Sequence, residues 1–400
     1  MGDWLMANIV RVKLNPKLLV WARTSSGYSL CDIAKLFDKS EEDISAWETG
    51  SQMPTINQLK KFANKVKRPL AAFFLPEPPD EPPVPQDYRV LSGKPLGEFE
   101  PETLIAIREA RNSLSEVGEM LDAIGSDRLV LSLPSIRLQD NPEDKAIEFR
   151  SQLGVTVERQ MRWNSVNQAL NAWRDAVFDF GVLVLSLSFT LRDARGFCII
   201  ENDLAAVGLS TKDAHEARIF SLFHEICHLC LNMPGVSGGD APPKNMPNEP
   251  NLRVERFCDK FAASFLIPLS DEGVKAEIER IAGGEIVEDE ALRYFSRKLK
   301  ISKYALLRRM LEADYIEEDT YWRAYNKWIE VDRKVPNKKS SGGAHYADVQ
   351  FSEKGKRYVS LVMEALDCGA ISYHDASAYL SVDPKWFDRA RSYSQWEHNE

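Results

Sequence analysis

His224, Glu225 and His228 stand in the run His-Glu-Ile-Cys-His, behind the apolar stretch Ile219-Phe220-Ser221-Leu222-Phe223. On a helix, side chains four apart share a face, so both imidazoles can reach one divalent ion while the glutamate addresses a water on it. That chemistry needs a third protein donor and an open fourth position. Glu255, 27 residues past His228, opens a second helical run and is the best third donor, with Asp240 and Glu249 as alternatives. Asp259 follows one turn on, placed to hold an imidazole N–H and fix the ring. The ion this pattern suits is Zn2+, which acidifies water and polarises a carbonyl while Glu225 carries the proton to a leaving amine. An oxyanion-stabilising Tyr, His or Arg is required as well, and no spacing singles one out. Cys227, Cys230 and Cys258 crowd the motif and read as small buried hydrophobes, with thiolate ligation or a redox role as the alternative. His345, His374 and His398 lack ligand spacing and read as non-metal.

The two motif helices must lie side by side, and the Gly/Pro/Asn-rich tract from Met233 to Pro250 is a loop long enough to allow it. Upstream, a helix over Ala169 to Phe180 leads into β-rich Val182 to Phe189 and Phe197 to Ile200, which predicts an α+β domain with a small sheet. Pro101 to Ile124 has helical spacing with Gly125 as its stop, and Asn141-Pro142-Glu143 caps another helix that ends near Gly154. Helical pattern resumes from Ala291 to about Val331, and again in Ser352 to Leu366, His374 to Leu380 and Pro384 to Tyr393. Pro76 to Pro85 holds six prolines in ten residues and reads as a stiff, extended spacer. The expected fold is therefore multidomain and mainly α. Its parts are an all-α bundle over 1–76, a Pro-rich linker over 77–92, a helical connector over 93–140, the α+β metal-site domain over 141–333, a linker over 334–345 and a helical region over 346–400. The stretch from Ser29 (SLCDIAKLF) is echoed from Ser372 (SYHDASAYL), each a capped helix leading into a turn.

Bulk composition narrows the function classes. A net charge of −9 argues against a protein that coats nucleic acid, although a small basic module remains compatible with it. The longest apolar run, Gly181 to Phe189, is strand-sized, so no membrane span is expected. Six unevenly spaced cysteines do not read as a disulfide framework. The opening MGDWLMANIV lacks the marks of a signal peptide, which makes the cytoplasm the expected location.

Through Ala217-Arg-Ile-Phe-Ser-Leu-Phe-His-Glu-Ile-Cys-His-Leu, Glu255-Arg-Phe-Cys-Asp-Lys-Phe-Ala-Ala-Ser-Phe-Leu-Ile-Pro268 and Leu299-Lys-Ile-Ser-Lys-Tyr-Ala-Leu-Leu-Arg-Arg, the chain resembles the ImmA/IrrE metallopeptidases. The resemblance implies a zinc endopeptidase of gluzincin type, with His224, His228 and Glu255 as ligands and Glu225 catalytic. It also implies a helix-turn-helix repressor as substrate, whose cleavage derepresses phage, mobile-element, stress or defence genes, and some relatives sit in toxin–antitoxin-like loci. The chain departs from the family pattern at Ser221, Phe223 and Cys227, none of which is a ligand.

Residues 27–63 resemble an Xre/Cro-type helix-turn-helix, with Ile33, Ala34, Leu36, Ile44, Trp47, Leu59 and Phe62 as its core. The first turn of its second helix is Glu41-Glu42-Asp43, which suits a helix N-terminus but not a phosphate-lined groove. Elsewhere the module is basic, with Lys60, Lys61, Lys65, Lys67 and Arg68 close together as candidate contacts. DNA and a protein partner both remain open for residues 11–76. The competing function class is a DNA-binding regulator or toxin–antitoxin component that uses the peptidase fold as sensor or scaffold. A third reading puts a self-cleavage site between Pro76 and Val90.

Overall fold

The computed structural model describes residues 13–88, 97–125, 129–237, 250–283, 289–334 and 345–395. The chain divides into two compact units, one of residues 1–84 with 97–108, the other of 85–96 with 109–400.

In the first unit, α1 (Lys17–Thr24), α2 (Leu30–Phe37), α3 (Glu41–Glu48) and α4 (Ile56–Lys65) are followed by a 3-10 turn over Leu70–Phe74. Short helices need strong ends. Ser29, Ser40 and Thr55 each accept a hydrogen bond from the backbone N–H three residues on, while the side chains of Asp32, Asp43 and Gln58 accept one from the backbone N–H of the cap residue. Leu18, Ile33, Ile44, Trp47, Leu59, Phe62 and Phe73 close the core.

The second unit opens with β1 (Gln86–Asp87), just past the extended spacer and inside the stretch expected to be a Pro-rich linker over 77–92. Then come α5 (Pro101–Ile124), whose residues from Glu109 on belong here, α6 (Pro142–Leu153), α7 (Val157–Arg162) and α8 (Val166–Phe178). Asn141 caps α6 and Gly154, at φ +65°, ends it, as the sequence predicts. The strands β2 (Val182–Leu187), β3 (Gly196–Glu201) and β4 (Leu204–Ser210) precede α9 (His215–Cys230), β5 (Gly235–Ser237) and α10 (Pro250–Leu266). Next are α11 (Glu272–Ala282), α12 (Asp289–Leu299), α13 (Lys303–Glu312) and α14 (Glu318–Lys334). The C-terminal helices are α15 (Tyr346–Lys354), α16 (Lys356–Asp367), α17 (Tyr373–Leu380) and α18 (Phe387–Gln395). The helix expected over Ser352 to Leu366 is broken at Gly355, which adopts φ +91° and ends α15.

Among the described residues the sheet has the order β1-β5-β3-β4-β2. β3 runs antiparallel to both neighbours, while β2 lies parallel to β4 and β1 parallel to β5. β2 and β3 lie where the sequence predicts strands, while β4 has no counterpart in that expectation. Asn202 and Asp203, both at positive φ, make the tight turn from β3 into it. Helices α8 and α9 pack on the sheet, and α10 packs on α9 and α6. Trp173, Phe223 and Phe265 join these helices, with the last two rings stacked at 3.8 Å.

Arg174 of α8 ties the C-terminal helices to this core. Its Nε and Nη2 donate to the Val184 carbonyl at 3.1 and 2.6 Å, Nη1 to Ser352 O at 2.7 Å and Nη2 to Glu353 O at 3.0 Å. Every contact is to a carbonyl, so the buried cation is solvated by backbone dipoles in place of water. No helix among the described residues is long and apolar enough to cross a membrane.

Candidate metal centre

α9 is a buried helix from Ile219 onward, with Ile219, Leu222, Phe223 and Ile226 facing the core and the motif residues among them. His224, Glu225 and His228 are 7%, 1% and 0% exposed, and Glu255, arriving on α10, is 3% exposed. The packing of α10 on α9 brings three donor atoms together. The Nε2 atoms of His224 and His228 are 3.3 Å apart, Glu255 Oε1 is 3.1 Å from His228 Nε2, and Glu255 Oε2 is 3.5 Å from His224 Nε2. Donors about 2.0–2.2 Å from one shared zinc ion sit about this far from each other, so the set fits the ion. Asp240 and Glu249, the other carboxylates weighed for this role, lie outside the described residues.

Both rings are anchored from behind. His224 Nδ1 is 2.9 Å from Asp259 Oδ1, and His228 Nδ1 is 3.3 Å from the Met233 carbonyl. Each outer partner holds a proton on Nδ1 and leaves Nε2 with a lone pair for a metal. Burial alone would push the Glu255 pKa up, but the two imidazoles outweigh it and hold the carboxyl below its usual range. Burial likewise opposes protonation of His224, while Glu255 and Asp259 favour it strongly enough to raise its pKa. The pocket thus stabilises positive charge at the point where the donors converge.

Glu225 points across β3. Gly196 leaves it room, since a Cβ there would lie 2.9 Å from Oε1. Ser237 of β5 donates to its Oε2 at 3.4 Å. Burial raises the Glu225 pKa, partly offset by His228 and His224.

One neighbour was not legible as a site residue. Tyr88, just past β1, lays its ring against His228 at 5.1 Å, and nothing in a proline-rich tract announces a residue packed on the motif. Cys258 falls with His224 and His228 in a group whose ligand atoms lie within 4.8 Å of one another. Glu255 is the better third donor, because its oxygens stand within 3.5 Å of both Nε2 atoms. The Cys258 pKa is raised well above the ordinary thiol value, chiefly by burial, which keeps the sulfur protonated and a weak donor.

The basic residues of the first unit are partly engaged. Lys61 Nζ donates to Leu36 O at 2.6 Å, and Lys65 sits over the Tyr28 ring at 4.6 Å. Arg68 pairs with Glu81 at 2.6 and 2.9 Å and lies 3.8 Å from the Trp21 ring centroid. Lys60 and Lys67 are exposed, as are Glu41 and Glu42. Of the three histidines read as non-metal, His345 caps α15 and meets the Trp386 ring edge to face, His374 is exposed, and His398 lies outside the described residues.

No curated protein matches the chain. Residues 178–311, which hold both motif helices and their anchors, match the model of the Peptidase_M78 family described as the IrrE N-terminal-like domain, so this stretch is similar to a metallopeptidase domain of the ImmA/IrrE type.

Proposed function

We propose that this protein is a zinc-dependent endopeptidase of regulatory type, whose substrate is a helix-turn-helix repressor. The observation that supports it most is the convergence of His224, His228 and Glu255 donors within 3.5 Å of each other, with the Glu225 carboxyl on the same helix. The family match over 178–311 supports the metallopeptidase class, and the repressor follows from the resemblance. His224, His228 and Glu255 would hold the ion, which when bound supplies an acidified water and a polarised scissile carbonyl. Asp259 and the Met233 carbonyl keep the two rings in the binding tautomer. Glu225 accepts the water's proton and passes it to the leaving amine, a role suited to a carboxyl whose pKa burial has raised. Ser237 and the bare face of Gly196 fix where that carboxyl lies.

The first unit then serves to dock a protein. The exposed Glu41 and Glu42 at the start of α3, where a groove-reading helix would meet phosphates, favour this over DNA. The experiment pairs Glu225→Gln with a helix-turn-helix repressor, taken from the neighbouring gene products that the parent protein cuts. The variant should bind about one zinc, as the parent does, and leave the repressor uncut. Cleavage at the parental rate by Glu225→Gln would remove Glu225 from the mechanism.

A further inference from the structure

An endopeptidase must admit an extended peptide to its metal and general base, yet Glu225, His228 and Glu255 are almost wholly buried here. The cover on the side of the sheet is specific. β5 adds to β3 opposite Gly196 and Phe197, the point where β3 touches Glu225, and β1 adds to β5 with Gln86 opposite Gly235 and Asp87 opposite Val236. The Tyr88 amide donates to the Val236 carbonyl at 3.0 Å, and Asn251 Nδ2 donates to Asp87 O at 3.3 Å. Asp87 and Tyr88 are each 6% exposed. The Tyr88 ring rests on His228 and fills the space over Gly235, where a Cβ would stand 2.5 Å from the Gln86 carbonyl oxygen. Main-chain pairing at a sheet edge with an alternate side chain in a pocket is how folded domains take up extended peptides. The segment that does so here follows a proline-rich tract that cannot pair further upstream.

We propose that Gln86–Tyr88 is a tethered peptide ligand of the candidate active site. It takes the edge and the ring pocket that a substrate strand with an aromatic side chain would take, and it keeps the enzyme latent until it leaves. This rests on the metallopeptidase reading above and adds to it a substrate class, extended segments carrying an aromatic residue. Nothing covalent is involved. One strand exchanges for another.

The test uses the full-length zinc-loaded protein, with zinc removal by a chelator, hydrogen exchange at the Tyr88 amide and hydrolysis of fluorescent casein as readouts. Gly235→Ala places a Cβ against the Gln86 carbonyl and should release the segment. Tyr88 amide protection should disappear, zinc loss should quicken at least tenfold and casein hydrolysis should rise. Tyr88→Ala empties the ring pocket and leaves the edge intact. The peptide acetyl-Pro-Gln-Asp-Tyr-amide should slow zinc loss from that variant, and the same peptide ending in Ala should not. A released segment with zinc loss and hydrolysis unchanged overturns the proposal, as does equal action of the two peptides. If Tyr88→Ala does not fold, the Gly235→Ala result and competition by the peptide against casein on the parent protein decide it. Failure of the parent and both variants to bind zinc at all would instead refute the metallopeptidase reading.

Discussion

Replacing Asp259 by alanine removes the group that holds His224 and leaves all three donor atoms in place. The contact is 2.9 Å between Oδ1 and Nδ1, short enough for a charge-assisted hydrogen bond. Loss of such an outer partner lowers metal affinity by about 10–100-fold in other sites. The Asp259 side chain keeps 20% of its surface exposed, so a water can enter the vacated space and donate or accept in its stead. That places the effect at the low end, about tenfold, or roughly 1.4 kcal/mol. The rest of the neighbourhood should not collapse, because Arg308, which feels the Asp259 charge, keeps its 2.7 Å partner Glu312. Asp259→Asn retains an oxygen acceptor and should fall between the two. Competition against a chromophoric chelator at fixed pH measures all three proteins, and thermal unfolding in excess chelator checks that the apo fold is unchanged. Asp259→Ala within twofold of the parent would show that α9 packing alone orients His224. A loss as complete as that of His224→Ala would make Asp259 a ligand and the present assignment wrong.

Zinc affinity should rise with pH across the neutral range. Burial opposes protonation of the apo histidines, but Glu255 and Asp259 raise the His224 pKa and Cys258 and Glu255 that of His228, so protons compete with metal until the pH passes those values. The two Nε2 atoms face each other across 3.3 Å and have room for one proton between them. Calorimetry in buffers of different ionisation enthalpy should therefore find about one proton released per zinc near pH 7, and none would contradict the apo electrostatics. Gly196→Ala should push Glu225 off its position, because the new Cβ falls 2.9 Å from Oε1 and 3.1 Å from Cγ. Zinc binding should survive while kcat drops on the order of tenfold to a hundredfold, and an unchanged kcat would mean that Glu225 acts from another rotamer.

The motif pair was legible because a candidate metal site written on two helices leaves short-range marks. His-Glu-x-x-His and Glu-x-x-x-Asp each lie within two turns, and the apolar residues around them say that the faces are buried. Capping chemistry is equally local, which is why the Asn141 and Gly154 ends of α6 could be read directly. β4 escaped because Leu204-Ala-Ala-Val-Gly-Leu-Ser is rich in small residues with weak strand character. The Asn202-Asp203 pair before it was the signal that could have found it. Tyr88 could not be read at all. Its partners are more than a hundred residues away, and its contacts exist only once α9, β5 and α10 have packed. The faint echo between Ser29 and Ser372 has a local counterpart, since each serine forms a capping box with an aspartate three residues on, and the two helices end at Asp38 and Ser381, both left-handed. Shared end chemistry accounts for that much of the likeness.

Arg174 bears on how such a protein can be taken apart or recombined. Two of its four hydrogen bonds end on carbonyls of Ser352 and Glu353, and Gly355 is bare because a Cβ there would press into the guanidinium at 2.6 Å. A chain stopped after α14 would leave a cation facing a void that used to be backbone, at a cost of a few kcal/mol unless water floods in. The helices from α15 on and the sheet therefore hold together as one piece. A gene that swaps those helices for another tail must bring two carbonyls to the same spot, or change position 174 as well.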